Sequence, residues 1–413
     1  MKEGIYLPTD KEFRTVENQI RLLKSRTLKI NNLHTTKGHL LDKSYFNLIN
    51  GFETLLLDDP KTPPKKYTNK SFEDFVRLYD FDSQLSSLIF RKISEFEIKL
   101  KTSIAYHFCK NHCSNLSENN NYIDINSYKI PNKTDGPKEY VDFFYKVNKP
   151  KKTHKLFRDN YYYEGQFRGN FDGIVYYIDS KKTKLEGIFT GRFGSTSIKK
   201  VSGSCVFFNS NQPTLLAALK SLTLVDGPVS LSLSINDKER IYGLNYIDEC
   251  KTKFPYINEY NNPPFWVVIK TLMLNDLIIL LYGLKKRTFD AVLRDFNLKP
   301  QDKQKFLNSL EIIKALRNAC AHFELINRFR TPSSLKIDNR LITDLHLNPI
   351  KPQYILKLHD VLKVLNMCVE LSEIKLFILE YWYQETKNNS REIAISLLDR
   401  MGNSNIEDWI KNL

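Results

Sequence analysis

Apolar residues recur at three- and four-residue spacings over two long stretches of the chain, and between them the pattern changes character. From Asp82 to Phe108, the residues Leu85, Leu88, Ile89, Ile93, Phe96, Leu100, Ile104 and Phe108 fall on one side of a helix with 3.6 residues per turn. Charges fill the other side, the pattern of a helix that packs one face on a core. Thr15 to Leu57 also reads as helical, through Ile20, Leu23 and Leu28 and then Leu40, Leu41, Tyr45, Leu48 and Ile49, with a break at Gly51. A polar loop bearing Pro60, Pro63 and Pro64 separates the two segments. Helices resume at Pro263-Pro264, where a proline in the first turn gives up no hydrogen bond. The pattern predicts one helix over Phe265 to Leu284, a shorter one from Phe289 to Phe296, a third from Asp302 to about Asn327, and a long fourth from Gln353 to Glu385.

Between Lys146 and Tyr246 the periodicity shortens. Aromatic and β-branched runs are punctuated by glycines, as in Tyr161-Tyr162-Tyr163-Glu164-Gly165 and Gly173-Ile174-Val175-Tyr176-Tyr177. Val229 to Ile235 alternates strictly between apolar residues and serine, which marks a half-buried strand. The segment therefore predicts an inserted antiparallel unit, of a size typical for a small domain. The expected class is mainly α with an inserted β-rich domain, α+β overall. The expected domains are residues 1–145, helical; 146–250, β-rich; and 251–413, helical again.

Charge narrows the partners. The 413 residues carry 62 Lys+Arg against 47 Asp+Glu, a formal excess of +15. Such an excess favours a polyanion. A spanning helix is not expected, because Lys270, Asn275 and Asp276 interrupt the most apolar stretch. Met1-Lys2-Glu3-Gly4 opens without the apolar run of a secretory signal, and six scattered cysteines suit reduced thiols better than a disulfide framework. The expectation is a cytoplasmic protein with no membrane partner. His107-x-Cys109 followed by His112-Cys113 fits no common zinc spacing, and no nucleotide-binding glycine loop is visible. No metal and no cofactor are assigned.

The basic excess is concentrated. Residues 146–200 hold 13 Lys/Arg against five acids, a net +8. Lys151, Lys152, Lys155, Arg158, Arg168, Lys181, Lys182, Arg192, Lys199 and Lys200 are candidate phosphate contacts, and Tyr161 and Tyr162 candidate stacking platforms for unpaired bases. The plainer account is that the aromatics fill a small core and the lysines keep its outside solvated.

The candidate chemistry lies in Arg317-Asn318-Ala319-Cys320-Ala321-His322. On a helix, Asn318 and His322 are four apart and share a face, whereas Arg317 lies about 140° round the axis from His322 at 100° per residue. Histidine exchanges protons near neutrality, and arginine offers a fixed fork of donors to phosphate oxygens. Asn318 can orient the imidazole or hold a phosphate oxygen. RNA brings its own nucleophile, the 2′-hydroxyl, so cleavage to a 2′,3′-cyclic phosphate and a 5′-hydroxyl needs no metal. The plainer account is a structural Arg–His pair. A second match, Arg340 with His346, lies between Pro332 and Pro349 in a segment with little helical periodicity and is read as a decoy.

Several blocks in order strengthen the first reading. Thr15 to Arg26 with Leu40, Tyr45-Phe46 and Ile49-Asn50-Gly51, then Phe72 to Phe108 with Tyr79-Asp80-Phe81-Asp82, Asn262 to Trp266, and Leu316 to His322 followed by Asn327-Arg328, resemble bacterial abortive-infection (Abi) proteins of the AbiD/AbiF type. The resemblance covers about two thirds of the chain. It implies a HEPN-like helical bundle whose Arg-x4–6-His motif serves RNases that work without metal. It also implies that Arg317 and His322 are the catalytic pair with Asn318 beside them, and that a single motif is completed in a homodimer. It implies phage-defence or toxin-like proteins as well, some controlled by a structured noncoding RNA. Two departures stand out. Leu274-Asn275-Asp276-Leu277 occupies the place of an expected glycine-containing turn, and the segment between the family blocks is longer than expected. The leading expectation is thus an endoribonuclease toxin. The alternatives are a non-catalytic RNA-binding or sensor protein and, third, a protein-interaction scaffold.

Overall fold

The computed structural model describes residues 12–129 and 246–413, together with the backbone of six extended segments between 162 and 233. The chain divides into two compact units, Met1–Ile98 with Gln301–Leu413, and Lys99–Pro300.

The first unit is organised by the start of the Phe72–His112 helix, 41 residues long, and by the Lys303–Ala321 helix. Leu78, Phe81, Leu85, Ile89, Ile93 and Phe96 are buried along one stripe of the former, and Phe306, Leu310, Ile313, Leu316 and Cys320 along the latter. Each large apolar side chain so buried contributes about 1.5–3 kcal/mol. The N-terminal helices start where local side chains satisfy free backbone N–H groups. The Thr15 hydroxyl accepts from Asn18 N at 3.3 Å ahead of Val16–Ser25, and the Asn32 amide oxygen accepts from Thr35 N at 3.1 Å ahead of Leu33–Lys43. The single helix expected over Gln353 to Glu385 is two, Leu358–Asn366 and Ser372–Lys387. The Glu370 carboxylate accepts from Ser372 N at 2.7 Å, so a local side chain starts the second helix.

The second unit shows the same effect. The expected Phe265 to Leu284 helix is a turn at Phe265–Val268, a tighter turn at Ile269–Thr271, and a new helix at Leu274–Gly283. Asp276 accepts from Met273 N at 2.8 Å, so the polar residues that interrupt the apolar run nucleate the next helix. Phe265 packs against Tyr122, at 5.0 Å between ring centroids, and against Phe108, at 5.2 Å. The Tyr122 hydroxyl donates to the Pro263 carbonyl at 2.9 Å. His107 turns to Asp295, at 2.9 Å, and burial pushes the Cys109 thiol up to about 12. Among the described residues no three His, Cys, Asp or Glu side chains cluster as a metal site.

The expected class needs correction. The protein is mainly helical, and an α+β class with an inserted β-rich domain does not describe it. Between 162 and 233 the described backbone forms antiparallel ladders: Tyr162–Phe167 on Phe171–Tyr177, that on Leu185–Phe193, that on Thr196–Gly203, and separately Leu222–Asp226 on Val229–Leu233. Elsewhere extended pairing is limited, among the described residues, to three isolated bridges. The physical reason is that, among the described residues, helix faces bury the apolar surface. Among the described residues no helix is long and apolar enough to cross a membrane.

Candidate functional site

The motif closes the Lys303–Ala321 helix, and the way the helix stops shapes the site. His322 caps it, with His322 N donating to Asn318 O at 3.0 Å, Phe323 N to Cys320 O at 3.2 Å, and Glu324 N to Ala319 O at 3.1 Å. The last two bonds are the pair that ends a helix through one residue of left-handed backbone. Glycine or asparagine normally takes that position, and here it is Phe323, at φ 56°. A bulky residue there is strained, and the Phe323 side chain is 90% exposed. Local packing therefore does not compensate the strain.

Asn318 and His322 are exposed on this end, one turn apart, and Arg317 is half-buried. The Arg317 guanidinium carbon lies 5.8 Å from the centre of the Phe90 ring on the long helix, a cation–π contact contributing about 0.5–1 kcal/mol at an exposed site. The side chains of Asn318 and His322 make no hydrogen bond or ion pair among the described residues. Asn318 and His322 thus share an open helix end, and Arg317 turns to Phe90 on the long helix.

Beside them lies a groove of about 340 Å³. One wall is a face of the long helix, with Tyr79, Ser83, Ser86, Ser87 and Phe90, residues that recur at helical spacing beside the buried stripe. The other wall is the helix stop, Cys320 to Ala321 and Phe323 to Leu325, and Asp82 contributes at the base. Burial pushes the Cys320 thiol up to about 11, which makes it a poor nucleophile.

Four residues beyond the motif the character reverses. Asp82 is 2% exposed. It accepts from Ile326 N at 2.9 Å, Asn327 N at 2.6 Å and Asn327 Nδ2 at 2.7 Å. Burial raises its pKa in spite of these bonds. Arg400 donates to Asn327 Oδ1 at 3.3 Å, to Gly51 O at 3.1 Å and to the Thr54 hydroxyl. Burial first, then Arg328 and Arg330, lowers the Arg400 pKa to about 10. Arg328 donates to Asn50 O at 2.7 Å. A Cβ on Gly51 would stand 2.5 Å from Leu325 Cδ1 and 2.0 Å from Asn47 O, so only glycine fits this approach. The network anchors the segment after the motif to the long helix and to the Asn50-Gly51 turn. Asp82 was legible as an acid on the apolar stripe between Leu78 and Leu85. Phe323 was not, since nothing in its spacing marks it.

Other sequence candidates lie elsewhere. Lys151, Lys152, Lys155, Arg158, Tyr161, Arg168, Lys181 and Lys182 lie outside the described residues. Tyr162, Arg192, Lys199 and Lys200 are described only as strand backbone, and their side chains also lie outside the described residues. Arg340 opens the short Asn339–Asp344 helix and donates to Gln301 O at 3.3 Å, while His346 lies past its end.

The family model of the Abi-like proteins matches residues 38–172 and 234–326. No curated protein and no solved structure matches the chain. The matched residues take in both walls of the groove, the whole 317–322 segment and more than half of the chain, and on that extent the protein belongs to the family of Abi-like proteins.

Proposed function

We propose that this protein is an endoribonuclease of abortive infection, cutting RNA through the RNA's own 2′-hydroxyl without metal. Membership of the Abi-like family supports an abortive-infection role. The observation that carries the chemistry is the open end of the motif helix, where the exposed His322 imidazole stands without a partner among the described residues, one turn from Asn318, while Arg317 of the same last turns is braced on Phe90. In the proposed step His322 takes the 2′-hydroxyl proton, and the 2′-oxygen attacks the adjacent phosphorus. Arg317 stabilises the added charge on the phosphoryl oxygens. The P–O5′ bond then breaks, the leaving oxygen takes a proton, and a 2′,3′-cyclic phosphate and a 5′-hydroxyl remain. One histidine per chain serves one of the two proton transfers, and a second copy of the chain supplies the other, so the active form is a homodimer. The basic 146–200 segment is the proposed surface for substrate RNA or for a structured noncoding RNA that restrains the enzyme.

A second reading is RNA binding or sensing without cleavage. It is favoured by one feature, that no side chain among the described residues fixes the His322 tautomer. Incubation with mixed RNA in excess EDTA, followed by mapping of the ends, separates the two. Cyclic-phosphate ends that disappear in His322→Ala support the nuclease. Salt-sensitive RNA binding with no cut ends supports the sensor.

A further inference from the structure

We infer that the groove beside the motif is a subsite for one unpaired base of the RNA, with a preference for guanine. The inference rests on the reading of the motif as an RNA site and names what that site selects.

The groove's volume, about 340 Å³, lies within the range of small-ligand pockets. Its lining separates it from a phosphate site. Among the described residues no cationic side chain lines it, whereas the Glu324 carboxylate does. A phosphate would be repelled there and drawn instead to Arg317, which rests on the far neighbour of the same wall, Phe90. What the groove offers is aromatic surface from Tyr79, Phe90 and Phe323, hydroxyls from Ser83, Ser86 and Ser87, and two carboxylates, of which Asp82 is engaged by Ile326 and Asn327 and Glu324 is not. Those are the groups that take up a splayed base, which stacks on a ring and is read along its Watson–Crick edge.

Phe323 points the same way independently. It occupies a left-handed position that glycine would fill without strain, and its ring is 90% exposed. Neither the backbone nor the core benefits from a phenylalanine there. Strain retained at an exposed residue directly after His322 marks a functional requirement, and a stacking platform at the groove's rim meets it.

Glu324 sets the preference. Its side chain has no hydrogen-bond or ion-pair partner among the described residues, so both carboxylate oxygens are available. Guanine presents two adjacent donors, N1–H and the N2 amino group, to such a pair of acceptors. Uracil presents one donor flanked by two carbonyl oxygens, which the carboxylate repels. Adenine and cytosine, with one amino group each, fall between.

The test measures binding in the full-length His322→Ala chain, so that substrate survives. The probes are a fluorescein-labelled octauridylate and the same oligonucleotide with one central guanosine. The guanosine is expected to tighten binding about tenfold, the scale of one good edge contact. Phe323→Gly in this background should weaken binding of the guanosine probe about tenfold while melting at the same or a higher temperature. Glu324→Gln should abolish the preference, weakening the guanosine probe and tightening octauridylate as the repulsion of the uracil carbonyls is removed. Equal binding of both probes, failure to bind either, or unchanged discrimination in both variants overturns the subsite. The nuclease reading fails separately. If the wild-type chain leaves RNA intact while the groove variants lose discrimination, the subsite stands without the nuclease. If the wild type cleaves and the variants cut the same positions, the nuclease stands without the subsite.

Discussion

Residues 317–323 and 326–330 are separated by two positions in sequence, yet they are built in opposite ways. In the second stretch every strong polar group finds a partner. Asp82 takes three N–H donors, Arg400 ties Asn327 to the Gly51 turn, and Arg328 reaches Asn50. In the first stretch two polar side chains are open, an arginine rests on an aromatic ring, and a phenylalanine sits on strained backbone. A fold places unsatisfied polar groups at the surface at no cost, and of the left-handed non-glycine positions here Phe323 is the one directly after the motif. The contrast separates residues that hold the helix end in place from residues that the held end presents.

The comparison breaks most sharply at Asp82. Asp82→Ala strands two backbone donors and one amide in the interior, and is expected to lower unfolding free energy by about 3–5 kcal/mol, read by urea denaturation. Gly51→Ala forces a methyl group against Asn47 O and Leu325. It should cost about 1–3 kcal/mol, the usual penalty of overpacking. Wild-type stability after both substitutions would mean that the network does not anchor the segment.

The same acid makes a pH prediction. Burial raises the Asp82 pKa above 3.8, its ordinary value. Between that value and the raised one the folded chain binds more protons than the unfolded chain, so this group's contribution to stability falls as pH rises. The contribution is fully present below 3.8 and lost once pH passes the folded-state pKa. Asp82→Asn, neutral throughout, should flatten that slope in thermal melts taken across the acid range. An unchanged slope would assign the ionisation elsewhere.

On the open side the expected stability effects are small and one has the opposite sign. Phe323→Gly relieves the left-handed strain and should stabilise the protein by up to about 1 kcal/mol. Arg317→Ala gives up only a cation–π contact, about 0.5–1 kcal/mol, and His322→Ala should fall within about 0.5 kcal/mol of wild type, as surface changes do. A large loss at His322 would move it from the presented group to the anchoring one.

Much of this was legible in the chain, and the misses have physical causes. The buried stripes of the long helix and of the motif helix followed from spacing alone, since a 3.6-residue period has one interpretation over so many turns. Helix breaks did not follow. Asp276 and Glu370 begin new helices by accepting single backbone N–H groups, a local event that apolar periodicity does not register. The α+β expectation rested on local alternation and glycine punctuation between 146 and 246, which does not decide the class of a protein that is mainly helical. The motif pointed to 317–322, but the groove comes from two segments more than two hundred residues apart, and only the fold brings them together.

The central claim is that the open helix end performs proton transfer on RNA. Its most direct measurement is the rate of 2′,3′-cyclic phosphate formation from RNA in excess EDTA, by the wild-type chain and by His322→Ala of matched thermal stability. Loss of at least about 100-fold in the variant, the scale of a general acid or base, is the predicted result. Cyclic-phosphate formation by His322→Ala at the wild-type rate would contradict the account.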